Sequence, residues 1–269
     1  MSQSVEFHPD VAAAFNSLAG RYDALFGANA IIESLRRKIY STIEQLVQPP
    51  ANILDINCGT GTDALAIAEL GYSAVGVDVS PRMISEAKAK SKNWLNVRFA
   101  VASYDNLGAL EGDKFDLVLS NFGGLNCTPD LDVVGAHVAA RLKPNGYFVA
   151  VIMPPLSLWE TAAFAARGQF KEAFRRMQPG GTEARLNDIP FTVHYFSPRS
   201  AEKAFAEHFE TQSLYGLNVV SPPPHAWKLQ RRFPAVTATL EYIDDFLCRL
   251  PLVPYVGDHY VLVLRKKTR

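Results

Sequence analysis

The stretch Ala51-Asn52-Ile53-Leu54-Asp55-Ile56-Asn57-Cys58-Gly59-Thr60-Gly61 decides how this chain folds. Ile53, Leu54 and Ile56 make the short apolar run of a buried parallel strand, and Gly59 and Gly61 follow at once. Glycines there let the backbone come close to a bound molecule and turn straight into a helix, which the spacing predicts over residues 62–70. Strand, glycine turn and helix together form a cradle for a nucleotide-type ligand.

Two cofactors compete for that cradle. Gly59-Thr60-Gly61-Thr62-Asp63-Ala64 fits the dinucleotide pattern G-x-G-x-x-G/A, and Asp78 ends the next strand at the place of a ribose-binding carboxylate, which suggests NAD. Asp55 argues the other way. A buried carboxylate does nothing for a pyrophosphate but suits a cation, and the sulfonium and amino group of S-adenosylmethionine are cationic. Here the chain resembles the class I S-adenosylmethionine-dependent methyltransferases, whose motif runs acidic-x-Gly-x-Gly-x-Gly. It stands in this chain as Asp55-Ile56-Asn57-Cys58-Gly59-Thr60-Gly61, with Asn57 in place of the first glycine. Asparagine visits left-handed backbone conformations more readily than most residues, so this departure from the motif is tolerable.

Composition narrows the class further. The 269 residues carry 27 basic and 27 acidic side chains and no net charge, which argues against nucleic acid or anionic surfaces as general partners. A hydrophobic content of 48% is ample for a core. Cys58, Cys127 and Cys248 lie far apart with no C-x-x-C pair, so neither a metal site nor a disulfide framework is expected. The N-terminal residues lack a charged leader followed by an apolar core, and no run approaches the ~18 apolar residues of a membrane span. The expectation is a cytoplasmic protein.

The rest of the cofactor half follows in order. Asp10 caps a short helix through Phe15 and Leu18 that ends near Gly20, and Ile32, Leu35, Ile39, Ile43 and Leu46 mark a second over residues 31–47. The resemblance implies that Ala19-Gly20-Arg21-Tyr22-Asp23 folds over the cofactor, with Tyr22 near its methionine end and Phe15 in the same lid. A strand over residues 73–77 leads into Asp78, and the family pattern puts Val79 and Met83 beside the adenine. A third strand, residues 97–101, precedes Ser103, where the family often has an aspartate for the adenine amino group, and Tyr104 and Asp105 adjoin it. A fourth, residues 115–120, feeds Asn121-Phe122-Gly123-Gly124-Leu125-Asn126, the loop expected beside the transferable methyl. Asn121 and Asn126 offer donors and acceptors there, or bond their own backbone. This loop lacks the Asn/Asp-Pro-Pro-aromatic run of enzymes that methylate adenine or glutamine amides. A helix over residues 132–142, the turn Lys143-Pro144-Asn145-Gly146 and a strand over residues 147–153 complete the resemblance, which covers about half of the chain.

Beyond Pro154-Pro155, Trp159, Ala163, Ala166 and Phe170 recur at helical spacing, and related methyltransferases carry a substrate lid at this point. Residues 191–196 alternate like a strand that holds His194, a candidate general base, and Tyr195, a candidate orienting group. A helix at residues 198–209, a strand at 211–220 and a closing strand at 259–264 follow, with Val236, Leu240, Ile243, Leu247 and Leu250 marking an amphipathic helix between the last two.

The fold expected is α/β, a Rossmann-like doubly wound sheet of seven strands, mostly parallel with an antiparallel last strand. It is read as one domain with an N-terminal helical lid (1–48), a cofactor-binding core (49–153), an inserted helical cap (154–197) and the C-terminal part of the sheet (198–269). The expected cofactor is S-adenosylmethionine, with S-adenosylhomocysteine as product, held by Tyr22, Asp55, Asn57, Cys58, Gly59, Thr60, Gly61, Asp78, Val79, Met83, Ser103, Tyr104 and Asn121. His194, Tyr195 and Asn121 are the catalytic candidates, and no metal is called for. The reaction expected is methyl transfer to an oxygen, nitrogen or carbon nucleophile of a small molecule. An NAD(P)-dependent oxidoreductase and a non-catalytic S-adenosylmethionine-binding protein are the alternatives.

Overall fold

Cap chemistry and apolar spacing place the elements in the computed structural model, which describes residues 9–27, 29–110 and 112–268. Helix α1 (Pro9–Phe26) and helix α2 (Ala30–Leu46) come first. The Asn29 carboxamide accepts from the backbone N–H groups of Ile31 and Ile32, and α2 then buries Ile31, Leu35, Ile39 and Ile43 at intervals of four. Strand β1 (Asn52–Asp55), helix α3 (Thr62–Glu69), strand β2 (Ser73–Asp78) and helix α4 (Pro81–Lys90) follow as two βα units. Ser80 caps α4 by accepting from Met83 N, and Pro81 occupies its first turn, where a missing N–H costs nothing. Strands β3 (Val97–Val101) and β4 (Phe115–Ser120), helix α5 (Leu131–Arg141) and strand β5 (Leu142–Ile152) complete the first half.

The second half runs through helices α6 (Leu158–Ala165) and α7 (Phe170–Ala173), strands β6 (Thr182–Leu186) and β7 (Ile189–Val193), helix α8 (Pro198–Phe205) and strand β8 (Phe209–Leu217). Helices α9 (Trp227–Arg232) and α10 (Pro234–Leu247) lead to strand β9 (His259–Lys266). Seven strands form one sheet in the order β3-β2-β1-β4-β5-β9-β8, with β9 antiparallel to both neighbours and the other pairs parallel. Because side chains alternate along each strand, one sheet supplies two cores. On one face Phe148, Phe205 and Phe209 pack ring against ring, with centroids 5.4 to 6.3 Å apart. On the other, Ile39 and Ile43 of α2 and Ile67 of α3 cover Leu117, Val149 and Val261. Each such fully buried aliphatic side chain contributes about 1.5–3 kcal/mol.

Three sequence expectations are corrected. Helix α1 does not stop at Gly20 but continues to Phe26, because Asn16 fixes it to α4 by accepting from Ser80 Oγ (2.7 Å) and Arg82 N (3.1 Å). That docking outweighs the ~1 kcal/mol a mid-helix glycine costs. The turn at residues 143–146 is taken into β5 as a bulge, with Asn145 at φ 61° and the register shifting between Phe115 and Leu117. Residues 154–197 are helical over only about a third of their length. Asn187 and Asp188, at φ 46° and 64°, make a two-residue turn between β6 and β7, a separate antiparallel hairpin that leaves His194 and Tyr195 beyond the strand's end. Among the described residues no helix is long and apolar enough to cross a membrane.

Candidate functional site

A cavity of about 120 Å³ opens at the C-terminal ends of β1, β2 and β4, the edge of an open α/β sheet where ligands bind. The loop after β1 forms its floor. Gly59 (φ 53°) and Gly61 (φ 81°) are left-handed, and a Cβ on Gly61 would lie 2.6 Å from the Phe99 ring, whereas one on Gly59 would meet nothing within 4 Å. Gly61 is therefore required by packing, and Gly59 faces open space. A larger groove of about 910 Å³ lies elsewhere, between α2 and α10, away from the glycine turn and from every buried carboxylate of the cavity.

Charge is concentrated in the cavity wall, at Arg36, Asp63 and Asp78, and just behind it at Asp55. Asp55 is buried at the end of β1, where its Oδ1 accepts weakly from Asn57 N (3.4 Å) and its Oδ2 has no hydrogen-bond partner. Burial, and then the neighbouring Asp63, push its carboxyl well above the usual range. Asp63, in the first turn of α3, accepts from Arg36 Nε (2.9 Å), Tyr40 Oη (2.5 Å) and Asn121 Nδ2 (3.3 Å). The Arg36 guanidinium also lies 5.3 Å from the centroid of the Phe122 ring. Although burial opposes its charge, Asp63 raises the Arg36 pKa, so Arg36 stays a cation. Asp78 accepts from Gly59 N and Ser80 N, both at 2.9 Å, and burial raises its carboxyl against those two bonds.

Most of the residues singled out in the sequence meet here. Tyr22, Asn57, Cys58, Gly59, Thr60, Asp78, Val79, Met83, Tyr104 and Asn121 all line the cavity. Burial, partly offset by Arg36, raises the Tyr22 phenol to about 12. The thiols of Cys58 and Cys127 are pushed up by burial and by nearby carboxylates, so neither is a thiolate at neutral pH. Asp55, Gly61 and Ser103 do not line the cavity, nor do His194 and Tyr195. His194 N donates to Asn126 O, and Tyr195 lies under the Arg176 guanidinium at 5.4 Å. Asn57 is not left-handed. Its side chain instead ties two loops together, donating to Asn121 O (2.8 Å) and accepting from Ser120 Oγ (2.5 Å).

Asn126 is fully buried and bonds only to backbone, donating to Met153 O and His194 O and accepting from Met153 N. It is a fastener for the loop. Residues missed in the sequence are Arg36, Asp63 and Phe122. Arg36 and Asp63 carry no local motif, but Arg36 lies on the face of α2 next to Tyr40, which a helical wheel shows. Among the described residues no group of three or more possible ligands could hold a metal.

A family described as a methyltransferase domain matches residues 53–146. The ubiquinone biosynthesis O-methyltransferase of Xanthomonas axonopodis pv. citri is 27% identical over 184 residues, 67% of this chain and 74% of that one. A crystal structure of Burkholderia thailandensis 1,6-didemethyltoxoflavin-N1-methyltransferase, with 1,6-didemethyltoxoflavin and S-adenosylhomocysteine bound, superposes at a TM-score of 0.58. It is 19% identical and covers 100% of this chain and 92% of its own. The (4+2)-cyclase SpnF shares the fold at a TM-score of 0.62, 15% identity and 96% coverage of each chain, so the fold by itself does not fix the chemistry.

Proposed function

We propose that the chain is a class I S-adenosylmethionine-dependent methyltransferase, a reading supported by its match to a methyltransferase domain and to a methyltransferase relative, and that its own residues hold the cofactor and an acceptor as follows. The enzyme methylates small molecules; the accepting atom is an oxygen, nitrogen or carbon nucleophile. What carries the reading is a buried guanidinium, Arg36, beside Asp63 in the cavity wall, with the half-satisfied carboxylate of Asp55 buried next to them just behind that wall. An α-amino acid head group presents an ammonium, which suits the buried carboxylates here, and a carboxylate, which suits the guanidinium N–H groups that Arg36 keeps beyond its bond to Asp63.

Asp55 and Asp63 receive the ammonium and Arg36 the carboxylate. Gly59 offers open space against the sugar, and Asp78 retains lone pairs for the ribose hydroxyls. Val79, Met83 and Tyr104 supply apolar surface to the base. S-adenosylmethionine, when bound, supplies a methyl group already activated by its sulfonium. The protein's task is to align and dehydrate the acceptor, and no charged acid–base pair is needed for that. Asn121 at the end of β4 and the Phe122 ring are the groups nearest that task. Phe15, whose ring centroid lies 5.9 Å from that of Phe191, roofs the cavity and suits an acceptor with a flat ring. The relatives named above, a ubiquinone biosynthesis O-methyltransferase and a 1,6-didemethyltoxoflavin-N1-methyltransferase, are consistent with that class.

The free volume is well below the ~300 Å³ at which ligand pockets begin. Helix α1 and the segment to residue 48 act as a lid that moves for entry, with residues 154–197 as the substrate cap. Titration calorimetry with S-adenosylmethionine, S-adenosylhomocysteine and NAD tests the site. Wild type should bind the first two and not the third, and Arg36→Ala should weaken both at least tenfold. Unchanged affinity in Arg36→Ala and Asp55→Ala would remove the head-group assignment.

A further inference from the structure

Helix α10 carries its apolar residues on the wrong side for a helix that belongs to one molecule. Its buried positions are Thr237 and Asp244, while Ala235, Val236, Thr239, Tyr242, Ile243 and Phe246 are all exposed. These six recur at three- and four-residue steps, so they share one face, and none is charged. Tyr242 is 76% exposed and Phe246 85%. Leu250 extends the strip in the turn that ends the helix. The acids of α10 point the other way. Asp244 takes the backbone N–H groups of Val219, Val220 and Ser221, Glu241 accepts from Ser34 Oγ, and Asp245 pairs with Lys38. The body therefore holds α10 by its polar side and leaves the apolar side facing out.

We propose that this face docks on the same face of a second copy of the chain, through a two-fold axis near Tyr242 and Ile243. The residue sizes along the helix are the reason. Ala235 and Thr239 are small and lie in the N-terminal half, whereas Phe246 and Leu250 are large and follow in the C-terminal half. An antiparallel pair centred between Tyr242 and Ile243 sets Phe246 over Thr239 and Leu250 over Ala235, twice each. Large-on-small contact of that kind lets two helices interdigitate, and the strip is complementary to itself as an isologous interface must be. With ~150–250 Å² per aromatic side chain, Tyr242 and Phe246 with their aliphatic neighbours offer on the order of 600–800 Å², close to the ~800 Å² each partner of a standard interface buries. A charge-free centre with Arg231 and Arg232 at its edge matches the usual division into apolar core and polar rim.

Sedimentation velocity of the full chain tests this at micromolar concentrations. The wild type should run as a dimer, and Phe246→Asp should weaken association by on the order of thirtyfold or more, as loss of an aromatic anchor does. The fold and cofactor binding of Phe246→Asp should match wild type, since that side chain is already exposed. Tyr242→Cys gives an independent reading, because a residue beside a two-fold axis meets its own copy and should form a reducible disulfide-linked dimer. A monomeric wild type, a Phe246→Asp variant that still dimerises, or a Tyr242→Cys variant that does not cross-link overturns the proposal. So does a monomer that sediments with phosphatidylserine vesicles, which would give the strip and its neighbouring Lys228, Arg231 and Arg232 to a lipid surface instead.

Discussion

The hydroxyl of Thr60 donates to Asp23 Oδ1 at 2.6 Å, joining the glycine turn directly to the last turns of α1. Lys90 holds the other oxygen at 2.7 Å, so one carboxylate spans the lid, the turn and α4. Burial works against the Asp23 charge, but Lys90 and Thr60 more than offset it and lower its pKa. Asp23→Ala should free α1 at little cost to the fold, since half-exposed pairs contribute about 0–1 kcal/mol. Stopped-flow measurement should show S-adenosylhomocysteine leaving several-fold faster. An unchanged release rate would mean that α1 does not control exit.

Asp55 works against stability. Burial and Asp63 raise its carboxyl in the folded state, so the fold binds its proton more tightly than the unfolded chain does. The sign follows: above the unfolded value of ~3.9, rising pH takes stability away until the folded pKa is passed. Asp55→Asn keeps the acceptor for Asn57 N and removes the charge. It should raise the melting temperature of the ligand-free protein at pH 7 by about 2–4 °C per kcal/mol recovered and weaken S-adenosylmethionine binding at least tenfold. A lower melting temperature would show that Asp55 is stabilising as it stands.

Asn126→Ala should lose about 2–4 kcal/mol in urea unfolding, because it takes the acceptor from Met153 N and a donor from each of Met153 O and His194 O in a buried site. A loss below about 1 kcal/mol, at the low end of the cost of one orphaned group, would mean that the loop re-pairs locally.

The cap is clamped to the sheet by Arg176, which is 6% exposed and binds Glu160 at 2.7 Å and Asp258 at 2.9 Å. Burial opposes both acids' charges, yet Arg176 lowers Glu160, and His259 with Arg176 holds Asp258 well below the usual carboxylate range. Folded values below unfolded ones give stability that is complete above the unfolded pKa of ~4 and lost as pH falls through the folded values. Stability of the wild type should therefore drop steeply in acid. Arg176→Met should be weaker by about 3–5 kcal/mol at neutral pH and show a shallower acid slope. Parallel acid profiles would rule the clamp out.

A Cβ on Gly124 would lie 2.3 Å from Asn57 Cγ, so the departure from glycine at position 57 makes a glycine necessary at 124. Gly124→Ala should displace the Asn121 loop and reduce turnover, and adding Asn57→Gly should restore much of it. If the double variant is no better than the single one, the two positions are not coupled.

The sequence made much of this legible. The limits of β3 and β4 came out as expected, because short β-branched runs between turn residues have few other readings. The glycine turn carried its own signature. The hairpin at residues 182–193 escaped because its only signal was Asn187-Asp188, two residues that read equally well as loop. Arg36 and Asp63 escaped for another reason: they are 27 positions apart and meet only when α2 lies across α3. The spacing in α10 was read as an amphipathic helix, and periodicity says that a helix has an apolar side without saying which way it points.

Strand β9 sits between β5 and β8, although both precede it in the chain. On a ribosome, everything up to β8 emerges while the growing sheet still ends at β5 with an open edge, and β8 has nothing to pair with until residues 259–266 clear the tunnel. The last strand is thus a keystone: until it arrives, two strand edges are bare and open to pairing with another nascent chain.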